Sequence, residues 1–140
     1  LKKLIPEAES RGLKLGVENR EALEELPIES DYESLFKEIT SPNLVYWHDT
    51  GHAQIKENLG FLNHRQHLES RRDKLAGFHI HDVQFPGKDH CPPGSGMIDF
   101  AALAPSVKPE HIKVFEFSPS MTPEDAKRGI AHVKAVWGVE

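Results

Sequence analysis

The sequence predicts an α/β fold in which parallel strands alternate with outer helices. Helical and strand-like segments alternate along all 140 residues, as one helix followed by four strand-helix pairs. This alternation is typical of a parallel sheet covered by its crossover helices. Each strand-like run also carries a His, Asp or Glu at or near its end. We therefore expect four consecutive βα units in a single domain, residues 1–140.

The first helix and the first strand follow from apolar spacing. Residues 1–12 have apolar side chains at helical intervals. In the strand that follows, Leu13, Leu15 and Val17 share one face, which we expect to contact the helices. Glu18, at the end of this strand, then points to the opposite face.

The second unit and the helices after it occupy the middle of the chain. Residues 30–40 have a helical pattern, and residues 43–49 form a β-rich run. Residues 53–60 and 64–76 are predicted as helices, whose many charged side chains we expect to face solvent.

The third strand is predicted over residues 77–82. Its alternation directs Phe78 and Ile80 towards the helices. His79 and His81 then point to the same face as the acidic residues that end the other strands.

The last part of the chain begins with a Pro/Gly-rich segment, residues 85–97, which we predict to be a loop. Asp99 caps a short helix after it, and the fourth strand covers residues 112–117. The closing helix begins at Thr122, where Asp125 three residues later completes a loose capping box.

The polar strand ends recur at nearly regular intervals. Glu18, Asp49, His79 and Glu116 are separated by 31, 30 and 37 residues, with His81 as an alternative to His79. A (β/α)₈ barrel uses about 31 residues per unit, and its active site lies at the carboxyl ends of the strands. The spacing therefore predicts one potential ligand from each of four successive barrel units.

Five motifs carry a resemblance to a known family. "GVENR", "HDTGHA", "FHIHDV", "PPGSGMIDF" and "VFEF" occur in that order and resemble the xylose-isomerase-like TIM-barrel superfamily. This superfamily includes sugar isomerases, ketose 3-epimerases, inosose dehydratases and AP endonucleases of the endonuclease-IV type. The motifs match the second half of its barrel, so the resemblance implies that residues 1–140 are the C-terminal half of a (β/α)₈ barrel.

The resemblance also implies a metal centre. It assigns Glu18, Asp49, His79 and Glu116 as ligands of one divalent metal ion, with Asp82 as the acid behind His79. Three carboxylates and one imidazole favour Mn²⁺, Mg²⁺ or Co²⁺, and Zn²⁺ is also compatible. Two carboxylates about 5 Å apart repel by about 3 kcal/mol at an effective dielectric constant of about 20. Converging carboxylates therefore need a counterion or a proton.

Catalytic and substrate-binding roles follow from the same resemblance. In the sugar-epimerising branch, the residues matching Glu18 and Glu116 move a proton at the carbon next to the carbonyl, through an enediolate. A carboxylate within hydrogen-bond reach is able to act in this way. His52, His81 and His90 are expected to contact a sugar or sugar phosphate, and the family histidine that His52 resembles reaches either the substrate or a second metal.

Some motifs leave alternatives open. "HDTGHA" is also compatible with a polar turn in which Asp49 bonds to local backbone. Asn19 and Arg20 are able to cap, to pair or to hold substrate. "KDHCPPGSG" fits either a Pro/Gly turn or a substrate contact through His90 or Lys88. AP endonucleases carry Asp-x-His there for additional zinc ions, whereas Lys88 stands two residues before His90.

Composition narrows the class of protein. A hydrophobic fraction of 38% in 140 residues leaves room for one core. The net charge of -5, without a basic stripe, argues against a nucleic-acid partner. Cys91 is the sole cysteine, so no disulfide framework is expected, and no apolar run is long enough for a membrane span. We expect a cytoplasmic protein.

Three functions remain as hypotheses, in this order: a metal-dependent sugar isomerase or epimerase, or its metal-binding half; an inactive half-barrel for binding or assembly; and a phosphodiesterase of the endonuclease-IV type. A half-barrel exposes two strand edges and an apolar face. We therefore expect either a fragment of a protein of about 270 residues or, if 140 residues are the whole chain, a homo-oligomer.

Overall fold

Parallel strands form the central sheet of the protein, whose computed structural model describes residues 1–139. In chain order the elements are α1 (Ile5–Ser10), β1 (Leu15–Glu18), α2 (Asp31–Glu38), β2 (Leu44–Asp49), α3 (Thr50–Asn58), α4 (His64–Glu69), β3 (Leu75–Ile80), β4 (Asp82–Gln84), β5 (Lys88–Cys91), α5 (Phe100–Leu103), a 3₁₀ turn (Ala104–Ser106), β6 (Ile112–Phe115) and α6 (Pro123–Trp137).

The four strands of the main sheet lie in the order β1-β2-β3-β6, and every neighbouring pair is parallel. Glu18 lies opposite Trp47, and Asp49 lies opposite His79. Helices connect successive strands, so the predicted architecture of four βα units, half of a TIM barrel, is confirmed. Within residues 1–139, β1 and β6 each keep one unpaired edge.

The hydrophobic core lies between the sheet and the helices. Val17, Phe78 and Ile80 point towards the helices, as the alternation predicted, and are nearly or fully buried. The larger members of the same cluster are Tyr32, Leu44, Tyr46, Leu68, Phe100, Leu103, Val133 and Trp137. Because the apolar side chains occupy this face, the polar strand ends are left on the other face.

Side-chain caps fix where several helices begin. Each cap accepts the backbone N–H three residues ahead, which satisfies a donor that the helix itself leaves free. Asp99 and Thr122 cap α5 and α6 as predicted. Asp49 and Asn63 do the same for α3 and α4.

The structure corrects several element bounds. The predicted helix 64–76 ends at Glu69, because Leu75 and the residue after it belong to β3, where Leu75 is buried. β3 ends at Ile80, two residues before the predicted end. Leu13 precedes β1 and is 55% exposed, so it does not contact the helices.

Part of the predicted loop 85–97 forms a hairpin. β4 and β5 pair antiparallel, with Asp82 opposite Cys91 and Gln84 opposite Lys88. These strands are three and four residues long, which is too short for a period-two pattern to appear in sequence. None of the helices in residues 1–139 combines the length and the apolar character that crossing a bilayer demands.

Buried histidines surround Tyr46 on the helix side of β2. The Tyr46 hydroxyl lies 2.9 Å from His48 Nδ1 and 3.0 Å from His67 Nε2. His48 Nε2 lies 2.9 Å from His64 Nε2. Burial lowers the pKa of His64 to about 4 and, with the charge of Arg71 as the next cause, that of His67 to about 3. Both rings are therefore neutral in the folded protein near pH 7.

These pKa values predict that the protein loses stability as the pH falls. The unfolded chain binds a proton near pH 6.5, whereas folded His64 does so only near pH 4. Each such histidine should lower the free energy of unfolding by about 1.4 kcal/mol per pH unit between these limits. When urea denaturation is measured between pH 7 and pH 4.5, the free energy of unfolding of His64→Gln should fall less steeply with decreasing pH than that of the parent protein. The difference in slope should be about 1.4 kcal/mol per pH unit. The exposed His132→Gln serves as control, and an unchanged slope in His64→Gln would contradict the prediction.

Candidate metal centre

The carboxyl ends of the parallel strands bring four polar side chains to one edge of the sheet. Glu18 ends β1, Asp49 ends β2, His79 is the penultimate residue of β3, and Glu116 directly follows β6. Parallel neighbours end on the same side of the sheet, so residues about 30 positions apart in sequence become neighbours in space.

His79 lies at the centre of this group. Its Nδ1 lies 2.5 Å from Glu18 Oε1, 3.4 Å from Glu116 Oε1 and 4.0 Å from Asp49 Oδ2. Ligand atoms of Glu18, Asp49 and His79 all lie within 4.8 Å of one another, and Glu116 joins them through its contact with His79. The structure thus brings together the four residues that the sequence singled out.

Asp49 is the fully buried member of the group. Its Oδ1 accepts the N–H of His52 at 2.8 Å, which caps α3. Its Oδ2 is buried, faces His79, and has no hydrogen-bond partner among residues 1–139. Burial raises the pKa of Asp49, but the neighbouring His81 and His52 more than offset this, and the net pKa lies below the usual value. A buried, charged carboxylate oxygen without a hydrogen-bond partner is suited to binding a cation.

Asn19 fixes the backbone at Asp49. The Asn19 side chain donates to Asp49 O at 2.9 Å and accepts from Asp49 N at 2.7 Å. Its own backbone oxygen lies 2.9 Å from His52 Nδ1. Because a carbonyl oxygen accepts only, Nδ1 of His52 carries a proton, and in the neutral ring Nε2 is the nitrogen with the lone pair. This clamp on a neighbouring strand is none of the three roles, capping, pairing or holding substrate, that the sequence left open for Asn19.

Arg20 pairs with acidic neighbours. Its guanidinium donates to both carboxylate oxygens of Glu25, at 3.1 and 3.0 Å, and lies 3.5 Å from Glu18 Oε2. Of the three options for Arg20, pairing is therefore the one that the structure contains.

The three histidines expected to contact substrate differ in exposure. The side chains of His52 and His90 are 15% and 35% exposed. That of His81 is 0% exposed and lies behind Asp49, so it offers no surface to a substrate. The His90 ring stacks on the His81 ring with centroids 4.2 Å apart. His90 adopts φ of 50°, a left-handed conformation that is uncommon for a non-glycine residue.

Hydrogen bonding selects one of the possible metal groups. Among the described residues, ligand atoms also cluster in Asp49-His52-His81 and in His81-His90-Glu116. His81 Nδ1 accepts the backbone N–H of His90 at 2.9 Å, so the proton of the ring sits on Nε2. Neither nitrogen of His81 then offers a free lone pair. Glu18, Asp49 and His79, with Glu116 beside them, remain. Nδ1 of His79 faces only carboxylates there, so a cation would take the place of its ring proton without breaking a bond to the backbone.

Trp47 lies beneath the group, against His79 and Gly77. Its ring meets the His79 ring at 5.2 Å between centroids. The ring also lies over Gly77 so closely that a Cβ there would overlap it. The Trp47 Nε1 is buried and has no partner among residues 1–139. A glycine opposite an aromatic residue on a neighbouring strand is the signal that points to this contact.

Asp82 has a different role from the expected one. Its carboxylate accepts the backbone N–H groups of Val83, Gly94, Gly96 and Ile98 at 2.8 to 3.1 Å. It therefore organises the segment after the hairpin, and its hydrogen bonds go to that segment rather than to His79.

The family model for xylose isomerase-like TIM barrels matches residues 1–136. The chain belongs to this family. A comparison with curated protein sequences gives no match. The family membership agrees with the order of strands and with the strand-end position of the polar group.

Solved structures share the same fold. A D-tagatose 3-epimerase-like protein superposes with a TM-score of 0.78 at 21% identity, over 98% of this chain and 51% of that one. The 3-keto-D-glucoside 4-epimerase from E. coli gives 0.73 at 21% identity, over 96% and 50%. A D-psicose 3-epimerase from Clostridium cellulolyticum H10 gives 0.76 at 13% identity, over 97% and 53%. The chain thus spans about half the length of these proteins, and likeness at such identities is a likeness of fold.

Proposed function

We propose that this chain is the metal-holding half, the C-terminal one, of a divalent-metal-dependent sugar isomerase or epimerase. The observation that carries the proposal is the convergence of Glu18, Asp49, His79 and Glu116 at the strand ends, with Asp49 Oδ2 left without a partner. The sugar epimerases among the structural neighbours support a sugar or sugar phosphate as substrate.

Exposure divides the roles among the carboxylates. The side chains of Glu18 and Glu116 are 22% and 35% exposed, whereas that of Asp49 is 0% exposed. A group that exchanges a proton with substrate must reach it, which the two glutamates are able to do. Glu18 and Glu116 are therefore assigned as the acid and base at the carbon next to the carbonyl, and Asp49 only holds the metal.

The donor set favours Mn²⁺, Mg²⁺ or Co²⁺ and is compatible with Zn²⁺. When bound, such an ion polarises the substrate carbonyl and stabilises the charge that develops on its oxygen. His52 presents the free lone pair of Nε2, which is able to accept a proton from a substrate hydroxyl. His90, whose Nε2 lies 3.6 Å from Glu116 Oε2, borders the same space.

Metal binding can be tested through Trp47. Because its ring contacts that of His79, Mn²⁺ held at this site should quench Trp47 fluorescence and raise the melting temperature, and EDTA should reverse both effects. Asp49→Asn should abolish them, whereas Asp99→Asn, the same change at the cap of α5, should not. In Trp47→Phe the remaining tryptophan, Trp137, lies on the helix side of the sheet and should not respond. Equal quenching in Asp49→Asn and the parent protein would contradict the proposed site.

Proton transfer can be tested without knowing the sugar. A panel of ketoses and ketose phosphates, incubated with the Mn²⁺-loaded protein in D₂O, should gain deuterium at the carbon next to the carbonyl in at least one case. Glu18→Gln and Glu116→Gln should each slow this exchange by at least about 100-fold, while Glu124→Gln, an exposed change in α6, should not. If either of the first two variants keeps the full exchange rate, the assigned acid-base pair is wrong.

A second candidate function is assembly with another half-barrel. It is favoured by the open edges of β1 and β6 and by exposed apolar residues beside them: Ile112 is 57% exposed, Val114 39% and Leu26 77%. Covering this face with a second copy would bury both edges. Light scattering after size exclusion at low micromolar concentration should then give twice the chain mass of 15.8 kDa. Val114→Glu should shift the protein to the monomer, and a monomeric parent protein would contradict self-association.

A further inference from the structure

The residues around His81 define the position of both its backbone and its ring. The Thr50 hydroxyl donates to His81 O at 2.7 Å and accepts from His81 N at 3.1 Å, which fixes the backbone. A Cβ at Gly51 would overlap the His81 ring, so only glycine leaves room for it. The ring of His90 covers the other side.

The protonation of the ring follows from its neighbours. The backbone N–H of His90 is donated to His81 Nδ1, so a neutral ring carries its proton on Nε2. A doubly protonated ring would carry one there as well. In either state Nε2 is a donor, and it lies 3.1 Å from Asp49 Oδ1. Nε2 is buried and makes no hydrogen bond among residues 1–139, so its N–H acts on Oδ1 through the close charge–dipole contact.

We infer that His81 is a positioning residue for Asp49, an inference that rests on the proposed metal centre. The Nε2–H of His81 and the backbone N–H of His52 both lie against Oδ1. Together they orient the carboxylate so that the free Oδ2 faces His79. A carboxylate buried without such donors would lose both its orientation and part of the compensation for its charge.

The same contact links the hairpin to the metal centre. β5 supplies the backbone N–H that sets the tautomer of His81, and its His90 ring holds the His81 ring in place. The hairpin therefore acts on Asp49 through His81 without itself supplying a ligand to the group.

The experiment compares the affinity for Mn²⁺ among variants that leave every proposed ligand intact, with free Mn²⁺ measured by electron paramagnetic resonance. His81→Leu removes the donor and should weaken binding by about 10- to 100-fold. Gly51→Ala should displace the His81 ring and weaken Mn²⁺ binding similarly. Because alanine stabilises a helix relative to glycine, this loss would not come from a weaker α3. His81→Gln keeps an amide donor and should restore binding to within about threefold of the parent protein.

The outcomes separate this inference from the proposed function. If the parent protein binds Mn²⁺ no better than Asp49→Asn does, the metal centre itself is wrong, and the role of His81 falls with it. If the parent protein binds, and folded His81→Leu binds equally well, only the positioning role is overturned. Where circular dichroism shows that His81→Leu is unfolded, Gly51→Ala decides: parental affinity in that variant overturns the inference.

Discussion

The buried charge of Asp49 is the constraint on which the site depends. Removing a carboxylate from water costs several kcal/mol unless donors replace the water. Here the backbone N–H of His52, in the first turn of α3, donates to Oδ1, and the Nε2–H of His81, after β3, lies against the same oxygen. The Asn19 side chain, after β1, holds the backbone N–H and carbonyl of Asp49 itself. β2, α3 and the ends of β1 and β3 are therefore fixed relative to one another around one carboxylate. A helix N-terminus also favours a negative charge at this position.

The sequence was sufficient for the architecture and for the strand-end residues. Alternating elements and near-regular spacing depend on local pattern, and the predicted N-caps Asp99 and Thr122 depend on contacts three residues apart. Asn19, Trp47 and Asp82 could not be assigned in this way. Their partners lie 12 to 30 residues away or across strands, and their roles appear only when the strands are in register.

His79 and His81 show where a pattern stops being informative. An alternation of two predicts that both face the same side, which holds only while the strand continues. β3 ends at Ile80, and the chain then turns into the hairpin, so His81 is buried behind Asp49 while His79 remains beside the glutamates. The end of the strand, together with the backbone N–H that His90 donates to His81, therefore leaves His79 and not His81 facing the glutamates.

The electrostatics of the group give the physical reason for a divalent ion. Three carboxylates surround His79 Nδ1, at 2.5, 3.4 and 4.0 Å, and a single ring proton satisfies at most one of them well. Repulsion between carboxylates about 5 Å apart is about 3 kcal/mol per pair at an effective dielectric constant of about 20. In the proposed metal centre, a doubly charged ion would offset this repulsion for all three carboxylates at once. Under the proposed function, burial would also separate the roles, because the fully buried Asp49 would only hold the ion whereas the more exposed Glu18 and Glu116 would exchange protons with substrate.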